Sequence, residues 1–345
     1  MMKFLDLFAG IGGFRHAFEK AGHECVGYAE IDKFARKSYE AMYNTEGEWT
    51  AHDITKVTDE EWSALRGAVD VICGGFPCQA FSVAGARRGF DDTRGTLFFE
   101  IARATKQIQP RYLVLENVKG LLSHEQGQTY ATIISALDEL GYDTERQTLN
   151  SKDFGVPQNR ERVFIIGHLR GASRREIFPL TRNGREVYTK SEIKKLGNIR
   201  KNGKSQSGDV FDASGLCPTL CATTTQKDAP KIAIFDDQGR TNKKHKLKDI
   251  CPTLRAEMHG NVPKIVNIFQ RPRGNNESGH ISMHNYDLRM RKLTPRECWR
   301  LQSFPDELFE KASKVNSDSQ LYKQAGNSVT VNVVYEIAKK LKEVN

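Results

Sequence analysis

Lys3-Phe4-Leu5-Asp6-Leu7-Phe8-Ala9-Gly10-Ile11-Gly12-Gly13-Phe14 stands at the head of the chain. Residues 3–8 read as a short apolar strand that runs into a glycine-rich turn. Apolar residues then recur at helical spacing, at Phe14, Ala17, Phe18 and Ala21. A strand, a tight turn and a helix form the first half of a βαβ unit. Glycines in the turn let a ligand approach the backbone closely, and the helix start adds N–H donors. The spacing is not G-x-G-x-x-G, which disfavours a nicotinamide dinucleotide fold.

The pattern continues outward from this unit. Alternation predicts strands over 25–30, 69–73, 112–116 and 163–168, with helices over 97–108 and 129–140. Strands alternating with helices imply an α/β class and a mainly parallel sheet. Near residue 180 the texture turns polar, basic and rich in Gly, Asn, Ser and Thr. Regular pattern returns at Thr294-Pro295-Arg296-Glu297, an N-cap followed by a proline at the first helical position. A terminal helix is expected over 328–344, with Val331, Val334, Ile337, Ala338 and Leu341 on one face. The organisation read from this is an α/β domain over 1–180 and a smaller irregular lobe over 181–292. A hinge with a connecting helix follows over 293–318, and then a C-terminal segment over 319–345 that returns to the first domain.

Composition narrows the classes. The chain has 345 residues, 38% hydrophobic and 28% charged, ordinary for a globular protein with a sizeable core. Seven cysteines without a C-x-x-C pair argue against a disulfide framework or a zinc site, and no metal is expected. Most of these cysteines should be small buried side chains. No apolar run approaches the ~20 residues that a membrane span needs, and the opening residues lack the apolar core of a signal peptide, so a cytoplasmic protein is expected. The net charge of +9 is uneven: residues 181–300 hold 24 basic against 12 acidic side chains, and the remainder 28 against 31. A near-neutral body with a basic segment suits a polyanion such as nucleic acid.

Several residues carry chemistry. Glu30 follows the second strand, where nucleoside-binding α/β folds place an acidic acceptor for ribose hydroxyls. Asp53-Ile54 could face an adenine ring. Gly74-Gly75-Phe76-Pro77-Cys78-Gln79-Ala80-Phe81-Ser82 follows the strand over 69–73 and puts Cys78 at the carboxyl edge of the sheet, where open α/β folds build their sites. Leu113-Val114-Leu115-Glu116-Asn117-Val118 ends another strand at the same edge. In Gln158-Asn159-Arg160-Glu161-Arg162 two arginines at i and i+2 face the same way in an extended segment, and guanidinium forks suit a phosphate or a carbonyl oxygen.

Together these motifs resemble the cytosine-5 DNA methyltransferases, of the bacterial or phage restriction-modification type. The resemblance covers most of 1–170 and 291–335 in the family's order. It is most specific in Phe76-Pro77-Cys78-Gln79, Glu116-Asn117-Val118, Gln158-Asn159-Arg160-Glu161-Arg162 and Gly326-Asn327-Ser328-Val329. Amino-group methyltransferases would carry an Asp/Asn-Pro-Pro-aromatic motif instead. The resemblance implies a Rossmann-like S-adenosylmethionine-dependent domain with a smaller target-recognition domain. Phe8, Gly10, Ile11, Gly12, Glu30, Ile31, Asp53, Ile54, Pro77, Leu97, Asn327 and Ser328 would line the S-adenosyl-L-methionine pocket. Cys78 would be the nucleophile, Glu116 would hold N3 and the amino edge of cytosine, and Arg162 the O2 side. Arg160 would fix the loop or a phosphate, and Arg296 would brace the active-site region.

Double-stranded DNA is the implied partner, and the enzyme is expected to be a monomer with a restriction endonuclease as its functional companion. The DNA-facing set comprises Gln79, Ser82, Arg87, Arg88, Thr219, Thr253 and Arg255. Arg87-Arg88 lie in a Gly-rich segment, 74–94, expected to close over a flipped base. Leu216-Cys217-Pro218-Thr219-Leu220 and Ile250-Cys251-Pro252-Thr253-Leu254 repeat, and either could match the family's Thr-Leu recognition mark. Two rivals share the scaffold: a tRNA cytosine methyltransferase, and a non-catalytic DNA-binding regulator that should have lost Cys78, Glu116 or Arg162. All three residues are present.

Overall fold

Seven strands build the main sheet: β1 (Lys3–Leu7), β2 (Glu24–Ala29), β3 (Trp49–Ala51), β4 (Val71–Gly75), β5 (Tyr112–Val118), β6 (Tyr142–Asn150) and β7 (Glu161–Leu169). Their order across the sheet is β3-β2-β1-β4-β5-β7-β6. The computed structural model describes residues 1–77, 97–172, 176–180 and 294–343, and the backbone of five short strands between them. The chain divides into two compact units, one of 1–150, 161–183 and 328–345, the other of 151–160 and 184–327.

In the first unit β3, β2, β1, β4 and β5 run parallel, as the strand-helix alternation predicts. β7 then enters antiparallel between β5 and β6. β4 carries the glycine pair as its last two residues rather than as a turn beyond it. The sequence pattern missed β3 and β6. β6 is an edge strand with mostly half-buried polar residues, so it has no apolar alternation to read.

Helices α1 (Gly13–Lys20), α2 (Lys33–Met42), α3 (Asp59–Ser63), α4 (Leu97–Ile108) and α5 (Gln128–Glu139) follow the strands. α2 starts at Asp32, whose side chain accepts the Phe34 and Ala35 N–H groups and so satisfies two open donors. The core lies between sheet and helices, with Leu5, Leu7, Ile72, Phe98, Ile101, Leu113, Leu115, Leu137 and Ile165 almost fully buried. A buried aliphatic or aromatic side chain of this size contributes about 1.5–3 kcal/mol.

The second unit carries α6 (Pro295–Leu301), α7 (Asp306–Ser313) and α8 (Asp318–Asn327), and five short strands paired in a second sheet. α6 starts where the sequence predicts, at Thr294. Its hydroxyl accepts the Glu297 N–H while the Glu297 carboxylate accepts the Thr294 N–H. α6 and α8 are tied by the buried Trp299 indole N–H, which donates to the Leu321 carbonyl at 3.0 Å, and by Gln302, which donates to the Ala325 carbonyl at 3.0 Å.

The last helix, α9 (Val331–Glu343), belongs to the first unit and packs along α1. It begins three residues later than its periodicity suggests: Ser328 is a bend, and the helical bonding starts at the Thr330 carbonyl, which accepts the Val333 and Val334 N–H groups. Val331, Val333, Val334, Ile337, Ala338 and Leu341 are buried. A histidine clasps this helix to the sheet: the Met2 N–H donates to His23 Nδ1 at 3.2 Å, and His23 Nε2 lies 2.9 Å from the Ala338 carbonyl. These partners require a neutral ring with its proton on Nε2.

Burial holds the His23 pKa below its ordinary value, helped by the chain's amino terminus and Lys342 and opposed by the Ala338 carbonyl and Asp70. The folded state therefore binds fewer protons than the unfolded chain, so this stability is present above the ordinary histidine pKa of about 6.5 and is lost as pH falls below it. His23→Ala should lower unfolding free energy at pH 7.5 by roughly 1–3 kcal/mol. It should also flatten the stability loss between pH 7.5 and 5.5; urea melts at the two pH values measure both.

Candidate active site

The carboxyl edge of the parallel strands collects the unusual backbone and side-chain geometry. After β1 the chain makes a turn in which Phe8, Gly10 and Gly12 all have left-handed φ values, of 55°, 56° and 74°. Phe8 is not a glycine, so its backbone costs about 1–2 kcal/mol there. The turn is pinned by Ala9 N–H to the Ala29 carbonyl (3.0 Å) and by Gly12 N–H to the Ala9 carbonyl (2.7 Å). Glu30 ties it to β2: one carboxylate oxygen accepts the Gly10 N–H at 2.7 Å and the other the Asp32 N–H at 2.7 Å. Burial pushes the Glu30 carboxyl above its ordinary pKa, against the pull of these two N–H groups. Each oxygen keeps a further acceptor position.

Around this turn, Ile31 is 69% exposed. Asp53 caps a short 3₁₀ turn, accepting the Thr55 N–H and hydroxyl at 3.0 and 2.7 Å, and these bonds lower its pKa. Ile54 is buried, and Leu97 opens α4 against the core. Beneath the turn, Asp6 is fully buried; the Cys73 thiol lies 4.0 Å from its Oδ1, and its Oδ2 has no hydrogen-bond partner. Burial pushes its carboxyl well above the usual range, partly countered by Arg15.

The second feature lies where β4, β5 and β7 end or begin. Because β7 runs antiparallel to β5, Arg162 near its start sits opposite Val118, diagonal to Glu116 and on the same face. Arg162 Nε and Glu116 Oε1 approach to 3.0 Å, both largely buried. The N–H is not aimed along that line, so Glu116 Oε1 has no hydrogen bond of its own, and the contact is ionic rather than a directed bond. Glu116 pairs with Gly75 of β4, and a Cβ at Gly75 would stand only 2.9 Å from Glu116 Oε2. The missing side chain is the space into which the carboxylate folds. Next to it Asn117, 2% exposed, donates from Nδ2 to the Phe76 carbonyl at 2.9 Å and accepts the Val118 N–H at 2.8 Å. It thereby fixes the backbone two residues before Cys78.

The two arginines of the Gln158–Arg162 motif fall in different units. Arg162 lies in β7, whereas Arg160 precedes the strand, is 4% exposed and donates to the Gly326 carbonyl at 3.4 Å inside the second unit. The backbone leading to Arg160 bonds within itself, with Gln158 N–H donating to the Val156 carbonyl at 2.7 Å and Arg160 N–H to the Gln158 carbonyl at 3.1 Å. Arg296 binds Asp306 and Glu310 at 3.6 and 3.3 Å and covers the Phe309 ring, so its contacts here brace α7. Asn327 ends α8 in the second unit and Ser328 opens the last segment of the first. Pro77 is exposed. Cys78, Gln79, Ser82, Arg87, Arg88, Thr219, Thr253 and Arg255 lie outside the described residues, as do both Cys-Pro-Thr-Leu repeats.

The cysteines that are described, Cys25, Cys73 and Cys298, are buried and free, as the sequence suggests. Burial pushes Cys25 up to about 12 and the other two well above their ordinary value, so none is a thiolate near neutral pH. No group of three or more His, Cys, Asp or Glu side chains suited to a metal occurs among the described residues. Arg15 and Tyr43 lie outside the sequence motifs, and Gly75 stands in one without a role assigned to it. The one available signal was a charged residue, Arg15, set between Phe14 and Phe18 on the apolar face of a helix.

Comparison with known proteins follows this geometry. A family model for C-5 cytosine-specific DNA methylases matches residues 2–343. Type II methyltransferase M.HhaI of Haemophilus parahaemolyticus is 35% identical over 98% of this chain and 93% of its own length. Orphan methyltransferase M.SPRI of Bacillus phage SPR is 32% identical over 99% of this chain and 97% of its own. Among solved structures, Dnmt2 methyltransferase of S. pombe superposes with a TM-score of 0.64 at 21% identity, covering 100% of both chains, a likeness of fold.

Asn117→Ala should leave the buried Phe76 carbonyl without its donor. Unfolding free energy should drop by roughly 1–3 kcal/mol with an unchanged denaturant slope; an unaltered urea midpoint would show that the carbonyl finds another partner.

Proposed function

The chain belongs to the C-5 cytosine-specific DNA methylases, and from that premise we propose how it methylates: through a covalent bond between Cys78 and C6 of a cytosine turned out of duplex DNA. S-adenosyl-L-methionine supplies an electrophilic methyl group on a sulfonium. The residues at the turn after β1 fit it. Glu30 offers two carboxylate oxygens with acceptor capacity to spare, as ribose hydroxyls require. Ile31 offers an exposed apolar surface for a ring, and a Cβ built on Gly10 would project into open space. Phe8, Ile11, Gly12, Asp53, Ile54, Pro77, Leu97, Asn327 and Ser328 complete the proposed cofactor set.

The observation that carries the catalytic reading is the Glu116–Arg162 pair at the strand ends, with Asn117 tethering the backbone that leads to Cys78. Carbon 5 of cytosine is a poor nucleophile. The Cys78 thiolate adds to C6, forming an S–C6 bond while the C5=C6 electron pair moves to C5 and onto the N3 and O2 side of the ring. Glu116 in its protonated form shares that proton with N3, and Arg162 places positive charge beside O2, so both stabilise the charge that this addition creates. After methylation at C5 a base removes the C5 proton, and the returning electron pair expels Cys78 as thiolate. The buried pair is costly to assemble but preorganised, which is the condition for stabilising charge that appears only during reaction.

Reaching C6 requires flipping the base from the stack, at a few kcal/mol. The net charge of +12 over 181–300 supports binding of double-stranded DNA, with Gln79, Ser82, Arg87, Arg88, Arg160, Thr219, Thr253 and Arg255 as the proposed DNA-facing and loop-fixing residues. The lobe over 181–292 is the proposed target-recognition domain and 1–180 the proposed catalytic domain. None of the described helices is long and apolar enough to cross a membrane, and the proposed setting is the cytoplasm.

Bisulfite sequencing of plasmid DNA from expressing cells should show 5-methylcytosine at one sequence context. Cys78→Ser should reduce it to background; persistent methylation would sink the nucleophile assignment. A duplex carrying 5-fluorocytosine, whose C5 has no removable proton, should remain bound through Cys78 and be found there by peptide mapping. Parallel assays on duplex DNA and tRNA should favour duplex DNA. Gly75→Ala should push the Glu116 carboxylate aside, lowering kcat by about tenfold or more while stability changes by less than about 1 kcal/mol; equal losses in both would deny the glycine its proposed role.

A further inference from the structure

The turn after β1 holds three left-handed residues among the five from Phe8 to Gly12, one of them phenylalanine. A backbone in such conformations persists only where its surroundings over-determine it. Glu30 restrains the N–H side at Gly10. The carbonyl side is restrained by a residue outside every motif above. Tyr43, the residue that ends α2, directs its hydroxyl at the Gly12 carbonyl at 3.1 Å and at the Ile11 carbonyl at 3.4 Å. Its ring also fills the space over Gly12, where a Cβ would meet Tyr43 at 2.5 Å.

Tyr43 is itself held. The Arg15 guanidinium lies 4.7 Å from its ring centroid and 5.2 Å from that of Tyr39, and Tyr39 packs edge-on against Tyr43 at 5.0 Å. Arg15 is clamped in turn by both oxygens of Glu48, at 2.8 and 2.7 Å, by Glu19 at 2.8 Å and by the Asn44 carbonyl at 2.9 Å. A buried, fully bonded guanidinium stacked on two rings is a fixed object, and it leaves the tyrosine hydroxyl little freedom to turn away.

We propose that Tyr43, held by Arg15, is a positioning residue for the cofactor: its hydroxyl keeps the turn after β1 in its binding conformation before the cofactor arrives. This rests on the reading that the turn receives S-adenosyl-L-methionine. Without the hydroxyl the turn spends part of its time in relaxed conformations, and apparent affinity falls by the fraction of molecules still competent. The reacting groups Cys78, Glu116 and Arg162 are on other segments and are untouched. The loss therefore falls on cofactor binding and not on the chemical step.

Tyr43→Phe is the sharp test, since it removes one hydroxyl and keeps the ring over Gly12. Calorimetric titration with S-adenosyl-L-methionine should give a Kd raised about three- to tenfold, the size of one hydrogen bond. Steady-state assays should show the same rise in KM for the cofactor, with kcat at saturation and KM for duplex DNA unchanged. Arg15→Lys, which keeps the charge but loses the fork, should move Kd in the same direction. A Tyr43→Phe protein that binds the cofactor as tightly as the parent overturns the proposal alone. So does one whose kcat and melting temperature fall in step, which would mark a merely structural residue. A parent protein that gives no binding heat and no methyl transfer overturns the cofactor reading, and this proposal with it.

Discussion

A carboxylate and a guanidinium stand 3.0 Å apart at the rim of the main sheet, and three of its strands position that meeting. Removing both charges from water is expensive, and mutual attraction repays it only when position is fixed by other means. Three elements supply the fixing. β5 carries Glu116 to the carboxyl edge, β4 offers Gly75 as the gap into which its carboxylate folds, and β7 brings Arg162 to the same edge because it runs the other way. With β7 parallel, its start would lie at the opposite edge of the sheet. The single reversed strand is thus the topological device that lets Arg162 face Glu116, 46 positions earlier in the chain.

The same edge holds the turn after β1, and its physics is different. There the constraint is backbone strain rather than buried charge. The turn adopts left-handed conformations at three positions and is held by hydrogen bonds from strand, carboxylate and tyrosine. Strain of this kind is tolerable because each tether contributes about 1 kcal/mol and several act together. Asp6, buried below with an unpartnered oxygen, adds a cost that the core around it must offset. A turn that needs this much support is poorly suited to adjust to a ligand and well suited to receive one unchanged.

Cysteine chemistry separates along similar lines. Cys25, Cys73 and Cys298 sit in the apolar interior, where burial keeps each thiol protonated. They act as small apolar side chains, and the methyl-transfer reading asks nothing of them. The residue it does use, Cys78, follows the tethered Phe76 and the exposed Pro77 in the sequence.

Much of the fold was legible in the residues. The strand-turn-helix at 3–21, the parallel strands and the helix over 97–108 follow from apolar periodicity, and the start of α6 follows from Thr294 and Glu297 through capping alone. The motifs also named Glu116 and Arg162. Periodicity could not find β6, whose side chains are polar and half-buried. Nor could it single out Gly75 as the gap beside Glu116, or Tyr43 as a tether, since neither residue type nor spacing marks them. Sequence by itself determined which groups exist and which elements carry them, because hydrophobic burial and capping act over a few neighbouring residues. Only the tertiary structure decided which groups meet, because strand order and the reversal of β7 bring together residues far apart along the chain.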